Sequence, residues 1–148
     1  MYHFTECGLD NIYLRNGFDE VETAEGRAVG IHALEQLHRV IAEGIVNKAG
    51  FLTGKELRFL RIELDLSQKA LGDLMGKSDQ MVAKWEKGES AIPILADKAV
   101  RDLYMESIGK GAIAGLLKEL SQLDRQYHEL KYELEETREG WTMKASAA

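Results

Sequence analysis

Cysteine occurs only once in this chain, at Cys7, so no internal disulfide can form. The fold must rest on burial, and the thiol count fits a reducing compartment, so a cytoplasmic location is expected. No apolar run approaches the roughly 18 residues that a membrane span needs, and the start MYHFTECG lacks a basic lead and an apolar core of the secretory kind. There is no nucleotide-binding glycine loop and no Cys/His/Asp constellation, so no enzymatic activity and no cofactor are expected. Cys7, His3, His32 and His38 lack the tight local pairing of structural zinc ligands, so no metal is expected either. The chain shows no internal repeat and no low-complexity tract. Positive charge is also short, with a net charge of −6. Residues 1–50 hold four basic and eight acidic side chains, whereas residues 51–110 hold ten of each. Over half the cations lie in that middle segment, and affinity for a polyanion depends on the face presented rather than on the total.

What is present divides the chain. Segments 2–6, 11–15, 19–23 and 27–31 are rich in Tyr, Phe, Ile, Val and Thr, and Gly8, Asn16-Gly17 and Glu25-Gly26 separate them. They predict a small β-rich unit, with a tight hairpin at Asn16-Gly17. From His32 to Asn47, Leu34, Leu37, Val40, Ile41 and Ile45 recur at helical spacing, which predicts a connecting helix and closes a first domain at residues 1–50.

Residues 51–109 predict an all-α domain. Thr53-Gly-Lys-Glu56 has the form of a capping box, opening a helix with Leu57, Leu60 and Leu64 inward. Ser67 and Ser78 are N-caps for two further short helices, which end at Gly76 and Gly88. Pro93 suits the start of a fourth, with Leu95, Ala99, Leu103 and Ile108 on its apolar side. Two short helices joined by a glycine-containing turn form a helix-turn-helix. Its packing requires Leu71, Leu74 and Met75 to meet Val82 and Trp85, and a small residue at Gly72 where the helices approach.

Ser67-Gln68, Gly76, Val82 and Trp85-Glu86-x-Gly88 stand at the spacing of the lambda-repressor-like or Xre helix-turn-helix regulators, which this stretch resembles. The resemblance implies a recognition helix over Ser78–Lys87 whose first residues lie at base edges in the major groove. Asp79, Gln80 and Lys84 are then the base-reading candidates, with Met81 in apolar reach. Gln80 suits adenine, Lys84 suits guanine, and Asp79 suits a cytosine amine. Gln68 is placed at a backbone phosphate, and Lys77, Lys87 and the amides near Ser78 add positioning contacts. The resemblance also implies a structural pair between Arg61 and Glu86. The whole layout is similar to MqsA-type antitoxin-like regulators, but those hold zinc through paired Cys-x-x-Cys knuckles and this chain has one cysteine.

Beyond Gly109, Gly111 and Gly115, Ile113, Leu116, Leu120, Leu123, Tyr127, Leu130 and Leu134 fall at alternating spacings of three and four. Thr137 and Trp141 extend the register. This predicts a long C-terminal helix over residues 110–142 and a disordered tail at 143–148. Leu116, Leu120, Leu123, Tyr127, Leu130 and Leu134 would form a coiled-coil homodimer seam of open orientation, or pack on the chain's own domain. The expected fold class is α+β, with double-stranded DNA as partner. The expected function is sequence-specific transcriptional regulation, with repression favoured. The alternative is an antitoxin-like protein that binds a toxin through its N-terminal domain.

Overall fold

The computed structural model describes residues 1–113 and 130–147. They fall in two compact units, Met1–Gly111 and Ala112–Ala148. The first contains strands β1 (Tyr2–His3), β2 (Tyr13–Leu14), β3 (Phe18–Thr23) and β4 (Gly26–Ile31). Helices α1 (Leu34–Asn47), α2 (Gly54–Glu63), α3 (Gln68–Met75), α4 (Asp79–Lys87) and α5 (Ile94–Ser107) follow. The second contains strands β5 (Leu130–Thr137) and β6 (Gly140–Ala147). The architecture is α+β.

Pairing in the N-terminal region differs from the expected hairpin. Antiparallel β1 and β2 form one two-stranded ribbon, and β3 and β4 form another. The tight turn falls at Ala24-Glu25, between the paired Thr23 and Gly26. Asn16-Gly17 instead links the two ribbons: Gly17 is left-handed at φ 79°, and its carbonyl accepts from the His32 amide at 2.9 Å. A ribbon alone is marginal in water. The first is supported because Phe4, Leu9 and Leu14 are buried with Ile41, Ala42 and Ile45 of α1 and with Leu57, Phe59 and Leu60 of α2. Phe18 and Ile31 pack the base of the second against the same core, while the rest of it is mostly exposed.

The helices use narrower faces than leucine spacing implied. In α1 the buried stripe is Ile41, Ala42 and Ile45, with Leu37 half-buried, and Leu34 and Val40 face solvent. In α5 the core takes Ala96, Val100 and Tyr104, whereas Leu95 is 82% exposed. The buried stripe lies one position beyond the expected one, which puts Leu95 on the opposite side. Arg101 ties α5 to the end of α1. Its guanidinium donates to the carbonyls of Val46, Lys48 and Gly50, and its Nε lies 2.7 Å from Asp97 of its own helix. Asp97 in turn accepts from the Leu52 amide at 2.7 Å. The clamp places cationic charge where α1's last carbonyls point.

The long C-terminal helix is corrected over its second half. Leu130 and Leu134, expected on a helical seam, belong to β5, which pairs antiparallel with β6. Met143 to Ala147, expected to be disordered, belong to β6. Leu116, Leu120, Leu123 and Tyr127 lie outside the described residues. The β5–β6 turn carries the same Glu-Thr-x-Glu-Gly sequence as the β3–β4 turn. Thr23 and Thr137 donate to the carbonyls of Gly26 and Gly140, and those glycines have φ 119° and 118°.

Candidate nucleic-acid interface

The site is built by caps. Ser67 Oγ accepts from the Ala70 amide at 2.9 Å and Ser78 Oγ accepts from the Met81 amide at 3.1 Å, so α3 and α4 begin where their sequences place them. Each helix ends on a left-handed glycine, Gly76 and Gly88. After α3, the Lys77 amide donates to Gly72 O at 2.8 Å and the Gly76 amide to Asp73 O at 3.4 Å, a Schellman closure that reverses the chain sharply. Gly72 is required at this turn. A Cβ there would lie 2.5 Å from the Lys77 carbonyl, so the close approach is to the turn's backbone.

Val82 and Trp85 fix the orientation of α4 by burial with Leu57, Leu60 and Leu71. Leu71 and half-buried Met75 join this core, but Leu74 points outward at 60% exposure and does not meet Val82 and Trp85 as expected. Beneath the helix, Arg61 Nε and Nη2 donate to Glu86 at 2.7 and 3.0 Å, and Nη1 donates to the Leu66 carbonyl at 2.9 Å. The expected Arg61–Glu86 pair is thus a two-pronged brace across α2 and α4 that also holds the α2–α3 loop. The inference from spacing missed Gly54. A Cβ at that position would lie 2.5 Å from the carbonyls of both Trp85 and Glu86, so its missing side chain lets α2 begin against the end of α4. A glycine placed directly after a capping Thr was the available signal.

With Val82 and Trp85 inward, helical periodicity puts Gln80, Lys84 and Lys87 on one outward stripe. All three are exposed, as are Lys77, Ser78 and Asp79, while Met81 is half-buried at the stripe's edge. Among the described residues Lys77, Lys84 and Lys87 have no acidic partner, so their ammonium groups are available to an outside anion. Asp79 Oδ1 accepts from the Gln80 amide at 2.9 Å, which occupies one oxygen at the positive end of the helix and leaves the other. Gln68, at the first turn of α3, donates to Glu86 at 3.2 Å and keeps a second amide hydrogen. Beside it Lys69 pairs with Asp73 at 2.9 Å, which raises the Lys69 pKa above its ordinary value.

The His and Cys residues scatter. His3 stacks on Tyr13, His32 meets Asp19, His38 meets Glu63, and Cys7 Sγ reaches the Phe4 carbonyl at 3.9 Å. Among the described residues no three His, Cys, Asp or Glu side chains are grouped to hold a metal. No helix among them is long and apolar enough to cross a membrane.

Residues 57–95 match the helix-turn-helix family of the Xre or lambda-repressor-like type, a span that runs from α2 through the start of α5. A domain of this family implies DNA binding. No curated protein and no solved structure matches the chain.

Proposed function

We propose that the chain is a sequence-specific transcriptional regulator, a repressor, which acts as a dimer with α4 of each protomer in a major groove. The premise is the helix-turn-helix domain at residues 57–95. The observation that carries the reading is the exposed Gln80–Lys84–Lys87 stripe, set opposite a fully buried Val82. A helix needs one face anchored and one face bare to lie in a groove. Gln80 and Lys84 read adenine and guanine edges, Asp79 offers its free oxygen to a cytosine amine, and Met81 supports them with apolar contact. Gln68, Lys77 and Lys87, together with the amides behind Ser78, hold phosphates and set the register. Dimer operators of this kind repeat their half-sites roughly 34 Å apart. The role is binding rather than catalysis, and the compartment is the cytoplasm.

Selection of bound sequences from random DNA tests this reading. A defined two-half-site motif is expected. Lys84→Ala relaxes preference at one base position by about 1–3 kcal/mol, whereas Lys87→Ala weakens all sequences and lowers the salt slope by about one. Recovery of no motif, or equal losses for both variants on every sequence, would overturn the assignment.

A second reading is supported by the β3–β4 ribbon, which projects Asp19, Glu20, Glu22 and Glu25, all exposed, against the single base Arg27. An acidic arm of this kind suits a basic protein partner, such as the toxin of an antitoxin-like pair. Co-expression with the adjacent gene tests it: co-purification lost on reversing Glu20 and Glu22 supports it, and no co-purification removes it.

A further inference from the structure

The register of β5 and β6 sorts their side chains by polarity. Directly paired residues of an antiparallel ribbon share a face, and Leu134 pairs with Met143, Glu136 with Trp141, and Glu133 with Lys144. Tyr132, Leu134, Trp141 and Met143 therefore lie on one face, with Glu136 beside Trp141 at its turn end. Lys131, Glu133, Glu135, Thr142 and Lys144 lie on the other, where Lys131 and Glu133 pair at 3.0 Å. The apolar face is open: Tyr132 is 58% exposed, Leu134 63%, Trp141 70% and Met143 63%.

We propose that this face is the homodimer interface, closed by the same face of a second copy. Two physical arguments select that occupant. A two-stranded ribbon with an apolar face in water is at best marginal, and a second ribbon laid on it makes a four-stranded sandwich with both polar faces outward. The contact is also of the right size. Four large side chains at these exposures remove roughly 500 Å² per protomer, or roughly 1,000 Å² in all, which is where specific association begins. A two-fold contact of the same patch on both subunits closes at two copies and cannot extend into a filament. The charged faces leave the ribbon soluble on its other side. The inference rests on the regulator reading only in purpose: two recognition helices need a two-fold joint, and this ribbon supplies it. Paired half-sites strengthen a small joint of this kind through effective concentration.

Sedimentation of the full chain from about 1 to 200 μM, with acrylamide quenching of Trp141 followed alongside, tests the proposal. The wild type is expected to pass from monomer to dimer while Trp141 becomes shielded in step with mass. Trp141→Glu and Leu134→Glu are expected to weaken association at least about 100-fold, and Thr142→Glu on the polar face to leave it within about twofold. The quenching arm uses unaltered protein, in which buried Trp85 is a constant unquenched background, and so does not depend on the variants' folding. A wild type that stays monomeric, a dimer in which Trp141 remains fully quenchable, or a Trp141 already shielded in the monomer by its own chain would each overturn the proposal. Binding to a single half-site duplex separates the two readings. Both apolar-face variants should retain it within about twofold and lose only the two-half-site gain. A shielded dimer that binds no DNA would sink the regulator reading and uphold the interface.

Discussion

The β3–β4 and β5–β6 ribbons share a turn, Glu-Thr-x-Glu-Gly with a glycine at φ near 118°, yet they differ in what holds them. The first is acidic along its length and rests on a core through Phe18 and Ile31 at its base. The second carries an apolar face whose large side chains are open to solvent. Turn chemistry thus sets where a ribbon reverses and its register, while its stability comes from the surface it covers. The first ribbon obtains that surface within Met1–Gly111, and the second is assigned it from another molecule.

The sharpest way to break this comparison is to unsettle the core under the first ribbon. Glu86→Ala leaves Arg61 buried without its carboxylate and is expected to cost about 3–5 kcal/mol. Chemical denaturation measures it, and amide exchange should accelerate through α2, α4, β1–β2 and the base of β3–β4 but not in β5–β6. Equal acceleration in β5–β6 would show that the two units are not independent. Next come the turn glycines, where a branched side chain costs up to about 3 kcal/mol at such a φ. Gly140→Val should abolish exchange protection in β5–β6 and with it the dimer, whereas Gly26→Val should open only the tip of β3–β4. Phe18→Ala removes a half-buried anchor and should cost about 2 kcal/mol, releasing β3–β4 while β1–β2 stays protected.

The smallest effects lie at exposed charges. Lys131→Ala removes a solvent pair worth less than about 0.5 kcal/mol and should not move the melting temperature measurably. On the first unit, the Lys55 hydrogen bond and charge hold the Asp10 pKa below the ordinary carboxylate value. Because the folded pKa is the lower one, this contribution is complete above the unfolded value and disappears as pH falls through the folded value. Lys55→Met should return the Asp10 titration, read by carbon NMR, toward the ordinary value.

The helix-turn-helix was legible because its determinants are local. Ser67 and Ser78 cap by reaching three residues ahead, and Gly76 and Gly88 end helices by adopting a conformation that other residues resist. Gly72 was legible for a similar reason, since a close approach excludes a side chain. Faces were less legible. Leu74, Val40 and Leu95 were expected inward because they are large and apolar, yet the buried stripe is set by where the neighbouring helix lies, and α5 meets it with Ala96, Val100 and Tyr104. The C-terminal segment misled through arithmetic. Leu130 and Leu134 are four apart, which is about one helical turn and also two strand periods. Tyr132 between them, with Trp141 and Met143 after the turn, carried the alternation that marks a strand. At Asn16-Gly17 the preference for positive φ implied a tight hairpin; Gly17 does take that conformation, but the pair links two ribbons, because a bend alone does not say which strands pair.

The central claim is that α4 lies in the major groove, and methylation interference on a selected binding site tests it most directly. Methylating guanine N7 places a methyl group in that groove alone. The account predicts that one N7 methyl per half-site blocks the wild type, and that Lys84→Ala loses sensitivity at that guanine while keeping its sensitivity to phosphate ethylation. Binding that tolerates every N7 methyl would contradict it.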